Sequence, residues 1–207
     1  MVQSRGLGDV YKRQGDKEEE NSSREFLSKA FVVAIFLMFI ILLIQFNSFY
    51  LTFIILFSII LSTVGVFLGL FILQKPFSVV MSGLAVISLA GIVVNNNIVL
   101  VDTFLGLKET EREVKDAIIK TALVRFRPVL LTSSTTALGL LPTAMGVGID
   151  FFNRTVSIDA PSSQTWILLS QNILFGLIFA TILTLVITPA MLAVFYNCLL
   201  YTSDAAD

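Results

Sequence analysis

Three amides and a carboxylate interrupt an otherwise apolar stretch of this chain, Gly91-Ile92-Val93-Val94-Asn95-Asn96-Asn97-Ile98-Val99-Leu100-Val101-Asp102. Asparagine both donates and accepts hydrogen bonds and aspartate takes up or releases a proton, so the set can order a water chain, pass a proton or meet a cation. The flanking Val, Ile and Leu put these groups at membrane depth. Lipid offers no hydrogen-bond partner there, so polar side chains must face other helices or a wet cavity. Movement of an ion or substrate is the first chemistry to consider, and static hydrogen bonding between helices is the second.

At 100° per residue, Ser88, Gly91, Asn95 and Asp102 fall on one stripe of a helix, Asn96 flanks it, and Asn97 points nearly the opposite way. Asn95 and Asn96 can bond a water chain or a carboxylate on a neighbouring helix, and Asp102 can carry a proton or pair with Arg125. Further along, Thr132, Thr135, Thr136 and Gly139 share one helical face. Their hydroxyls can relay protons through water, or bond back to the carbonyl four residues earlier and let helices approach. Ser58, Ser62, Gly65 and Gly69 make a small-residue stripe, and Gly65, Gly69, Gly91 and Gly139 read as helix-packing positions.

Composition narrows the alternatives. Of 207 residues, 56% are hydrophobic and 14% charged, and the mean hydropathy of +0.87 is that of an integral membrane chain. There is no histidine, and the one cysteine, Cys198, lies near the C-terminus. A zinc site, a Ser-His-Asp triad or a Cys-His pair needs residues this chain lacks, so no enzyme, metal site or cofactor is expected. The basic residues are local rather than massed, which gives no sign of a nucleic-acid partner; the lipid bilayer is the expected surrounding.

The elements that must position these residues read as an all-α membrane fold of five spans, at about 26–46, 49–73, 77–104, 128–145 and 172–196. The turn at Asn47-Ser48 is so short that the first two spans must be antiparallel neighbours. Pro128 suits the first turn of the fourth span. Between spans three and four, residues 108–124 carry Val114, Ala117, Ile118, Thr121 and Ala122 at helical spacing, with Glu111/Lys115 and Asp116/Lys120 as i,i+4 pairs. This reads as an amphipathic helix on the membrane surface.

Lys108, Arg112, Lys115, Lys120, Arg125 and Arg127 all fall between spans three and four, whereas 146–171 holds only Arg154. The positive-inside rule then puts the amphipathic segment and the C-terminus in the cytoplasm and the charged lead, residues 15–25, outside. Asn153-Arg154-Thr155 has the form of a glycosylation sequon, a pattern too short to carry weight. Residues 1–14, with Ser4–Gln14 reading SRGLGDVYKRQ, and residues 198–207, CLLYTSDAAD, resemble translated sequencing-library adaptor, so the credible chain is taken as a fragment with its bundle at 26–197.

The run Gly91–Asp102, followed by Ala117, Arg125-Phe126-Arg127-Pro128-Val129-Leu130-Leu131-Thr132-Ser133 and Gly139-Leu140-Leu141-Pro142, resembles the C-terminal membrane region of a resistance-nodulation-division (RND) efflux permease of the hydrophobe/amphiphile type. The resemblance covers roughly Asp16 to Asn197. It implies helices eight to twelve of a twelve-helix inner-membrane pump that works as a homotrimer with a periplasmic adaptor and an outer-membrane channel. It also implies proton-driven export, with a pair of aspartates on a helix outside this chain carrying the protons. Their partners map to Asn95, Asn96, Arg125 and Thr132, and Asp102 joins them as a candidate. The best-known members have a lysine at the place of Asn95, so a neutral amide here changes the electrostatic coupling.

The expected function is thus part of an inner-membrane, proton-driven exporter of drugs or other amphiphiles, supplying half of the ion relay. A protein-export or lipid-export member of the same superfamily would share this membrane half. A non-transporting scaffold subunit, in which the amides only hold helices together, is the competitor from another class. An ATP-driven permease lacks support, because no Gly-rich phosphate loop with a lysine is present.

Overall fold

The computed structural model describes the backbone of residues 2–111, 113–150, 155–158 and 164–204, with side-chain surroundings for 17–111, 113–147 and 164–196. Arg112, Asn153 and Arg154, used above for orientation and for the sequon, lie outside the described residues. Five helices follow one another: α1 (Val2–Phe46), α2 (Phe49–Leu73), α3 (Val79–Thr110), α4 (Val114–Ala144) and α5 (Gln164–Asp204). Between α4 and α5 stands an antiparallel hairpin, β1 (Val147–Asp150) paired with β2 (Thr155–Ile158), so the architecture is helical apart from two short strands.

The helix boundaries have local causes. α1 stops at Asn47, whose left-handed φ of 45° suits an asparagine, and Ser48 at once caps α2 by accepting from the Leu51 amide. Gln74, with φ 52°, ends α2 and returns its N–H to the carbonyls of Leu70 and Phe71. Ser78 caps α3 through the Met81 amide, placing the start two residues inside the expected Phe77.

The separate amphipathic helix of 108–124 is corrected. Lys108–Thr110 closes α3, and 114–124 forms the opening turns of α4, which continues through Pro128. Pro128 removes the N–H that Val124 would have bonded, yet helix persists between the buried Ala117, Ile118 and Thr121 before it and the buried Val129 after it. Ala117, Ile118 and Thr121 are buried against the end of α3 around Phe104, as the helical spacing of this stripe requires. Of the expected i,i+4 pairs, Lys120 instead bonds Glu111 across the α3–α4 turn, Nζ to Oε1 at 2.5 Å. α5 begins two turns earlier than the expected fifth span, at Gln164.

Among the described residues, four helices are long and apolar enough to cross a bilayer: Lys17–Phe46, Phe49–Leu73, Val79–Thr110 and Gln164–Tyr196. α4 is less apolar because of Arg125, Arg127 and the run Thr132 to Thr136. It nonetheless lies beside α3 and α5, joined to α3 by Arg125 and to α5 by Ser133 and Ala144. α5 is the centre, packed on α2, α3 and α4, while α1 sits at the edge against α2 and α3. Phe26, Val32, Val33, Phe36, Ile41 and Ile44 of α1 are exposed, as a lipid-facing surface requires.

Close approach of α2 to α5 depends on glycine. A Cβ at Gly65 would stand 2.5 Å from Phe179 Cβ, and one at Gly69 2.5 Å from Phe175 Cβ. Without side chains there, the two aromatic residues lie directly on the α2 backbone, the small-residue packing familiar from membrane helices. At one end of the bundle Tyr50 donates to the Met191 carbonyl at 3.0 Å and stacks on Phe195, while Lys108 lies 4.3 Å above the Tyr196 ring. This tyrosine and lysine girdle marks a membrane–water boundary.

Candidate ion-relay face

One asparagine of α3 lies on its buried face, with Ala85, Leu89, Val93, Leu100 and Phe104. Asn97 is fully buried; its Nδ2 donates to the Val93 carbonyl at 3.0 Å, and its Oδ1 accepts from Thr188 Oγ1 of α5 at 2.8 Å. Every polar atom of that amide needs such a partner at this depth. With Asn97 turned to α5, Asn95 lies 200° round the helix and is exposed, and Asn96 between them is half-buried. Asp102 is exposed on the Asn95 side.

α3 meets α4 through Arg125, whose Nε donates to Thr103 Oγ1 at 2.5 Å. The Asp102–Arg125 pairing considered from the sequence is not the contact formed; Thr103, one residue on and 100° round the helix, takes the guanidinium. Seven residues before Thr103 is Asn96, and seven after Arg125 is Thr132. Seven residues return a helix to nearly the same face two turns away. Asn96 and Thr132 thus each lie two helical turns further from the α3–α4 turn than the Thr103–Arg125 contact does.

Thr132 is exposed, and its single hydroxyl proton is shared between the carbonyls of Pro128, at 3.1 Å, and Val129, at 3.0 Å. Its oxygen lone pairs are left to accept from outside the bundle. Thr135 and Thr136 bond back in the same manner, Thr136 to the Thr132 carbonyl at 2.8 Å. A Cβ at Gly91 or Gly139 would meet nothing within 4 Å, so neither glycine, read from the sequence as a packing position, packs closely against another helix of this bundle. Asn95, Asp102, Thr132 and Gly139 thus lie on surface that α5 does not cover.

Residues of α5 that the sequence reading passed over hold this face in place. Asn172 Nδ2 donates to Ser82 Oγ at 2.9 Å, Thr181 and Ser133 bond at 2.8 Å, and Thr188 holds Asn97. All six side chains are buried. The available signal was a set of polar residues, Asn172, Thr181, Thr184 and Thr188, in an apolar span. Among the described residues, no three His, Cys, Asp or Glu side chains come together in a group able to hold a metal.

Long apolar helices joined by buried polar contacts define a multi-pass membrane protein. The model of the AcrB/AcrD/AcrF family matches residues 7–196, and the chain belongs to this family of RND permeases. It is 29% identical over 165 residues to the swarming motility protein SwrC of Bacillus subtilis (strain 168), a match covering 79% of this chain and 14% of that protein. Among solved structures it is similar to a heavy metal efflux pump in two crystal forms. Crystal form II gives a TM-score of 0.67 at 28% identity over 82% of this chain and 16% of the pump; form I gives 0.60 at 28% identity over 80% and 15%. The chain therefore spans about a seventh of the length of the curated relative.

Proposed function

We propose that this chain is part of an inner-membrane secondary exporter of drugs or other amphiphilic compounds of the hydrophobe/amphiphile type, driven by the proton gradient, and that it supplies half of the transmembrane ion relay. It moves solutes rather than transforming them. The observation that carries the reading is a set of polar side chains on two adjacent helices, exposed Asn95 and half-buried Asn96 on α3 and half-buried Arg125 and exposed Thr132 on α4, with the helices joined by the Arg125–Thr103 hydrogen bond. Polar groups on α3 and α4 at membrane depth require a protein or water partner, and this bundle does not cover that side. In the complete permease the other helices would supply titrating carboxylates, and the chain would sit in a homotrimer joined to a periplasmic adaptor and an outer-membrane channel. The α3–α4 turn and the basic residues near it, Lys108, Lys115 and Lys120, face the cytoplasm in this arrangement.

The test is efflux by the complete permease. Arg125→Ala and Thr132→Ala should each lower transport at unchanged membrane insertion, and wild-type efflux in both at equal expression would remove the relay role. A metal cargo is the second reading, favoured by the likeness to the heavy metal efflux pump. Cells expressing the permease that resist divalent or monovalent metal ions, but gain no resistance to cationic dyes, would move that reading ahead.

A further inference from the structure

We infer that Thr103 is the positioning residue that aims the Arg125 guanidinium; this rests on the relay reading above. Thr103 has one hydroxyl proton, and it is committed to its own helix, Oγ1 donating to the Val99 carbonyl at 2.8 Å. That back-bond sets the side-chain rotamer of a β-branched residue and turns the oxygen lone pairs away from α3. The hydroxyl therefore acts toward α4 as an acceptor, and Arg125 Nε donates to it at 2.5 Å. Both side chains are half-buried, which limits competition from water.

Holding arginine by Nε has a particular consequence. The flexible stem is tethered and the guanidinium plane is fixed, while both terminal NH2 groups make no hydrogen bond or ion pair among the described residues. These terminal donors form the planar fork suited to bidentate binding of a carboxylate. Asp102, the adjacent acid, is exposed and does not take this place. A threonine at 103 thus orients the cation without neutralising it, which an acid there would do.

Thr103→Val keeps the branched shape and removes the acceptor, and Thr103→Ser keeps the acceptor. In the complete permease, ethidium efflux under an imposed proton gradient should fall about ten-fold in Thr103→Val, the scale of a lost hydrogen bond to a charged group. It should stay near wild type in Thr103→Ser, with the thermal midpoint of the purified protein unchanged in both. Equal loss in the Val and Ser variants, or a transport loss that tracks a lowered thermal midpoint, would assign Thr103 to packing and overturn the inference. An Arg125→Gln control separates the two layers. Lost transport in Arg125→Gln with full transport in Thr103→Val defeats only the role of Thr103, whereas full transport in Arg125→Gln defeats the relay reading and this inference with it.

Discussion

Replacing Asn97 by leucine should destabilise the folded bundle by about 1 kcal/mol, because the buried Thr188 loses its acceptor. Asn95→Leu, two positions away on exposed surface, should leave stability within about 0.5 kcal/mol while lowering transport. Unfolding of the purified permease, set beside efflux at matched expression, reads both effects. A scaffold in which all three amides only join helices would show the reverse at Asn95, with full function retained. The opposite facing of Asn95 and Asn97 was legible from 100° periodicity. That Thr188 receives Asn97, and that Arg125 finds Thr103 rather than Asp102, was not: these contacts join residues far apart in sequence through the rotation of whole helices.

At the level of elements, the α2–α5 contact is a close one, with Phe179 and Phe175 lying directly on Gly65 and Gly69. Gly65→Ala or Gly69→Ala must push Phe179 or Phe175 aside, so each should cost about 1–3 kcal/mol by overpacking. Gly139→Ala, with open space round its Cβ, should be neutral or slightly favourable within these five helices. If it nevertheless impairs the complete permease, the open face of α4 is covered there by another helix. A panel of the three variants, scored by thermal unfolding and by efflux, separates the two situations. The stripe of Gly65 and Gly69 was visible in the sequence, but its counterpart, an aromatic pair on α5, became identifiable only once the helices were assembled. The amphipathic segment shows a similar division: its buried side was readable from Ala117, Ile118 and Thr121, while its merger with α4 depended on packing that carries helix through Pro128.

For the whole molecule, the sidedness of the bundle gives a direct expectation. In a Cys198→Ser background, a cysteine at the exposed Lys120 should react with a membrane-impermeant maleimide only from the cytoplasmic side. One at the exposed Trp166, near the opposite end, should react only from the outside. Inverted labelling of the two sites would reverse the orientation and turn the basic α3–α4 turn outward. Both ends carry side chains suited to an interface: Tyr50, Tyr196 and Lys108 at one, Trp166 and Lys75 at the other.

Residence in the membrane, helical spans and the turns between the first three were determined by the sequence itself, since each depends on the composition of some twenty neighbouring residues and on a capping residue beside them. The strands of 147–150 and 155–158, the early start of α5 and the fusion of two expected helices into α4 were decided by the assembled structure. So was the identity of the uncovered face. A helix of mixed polarity can be turned to any side at similar local cost. Only the tertiary contacts of Asn97 with Thr188, Ser133 with Thr181 and Arg125 with Thr103 choose the rotation that buries one asparagine and presents another.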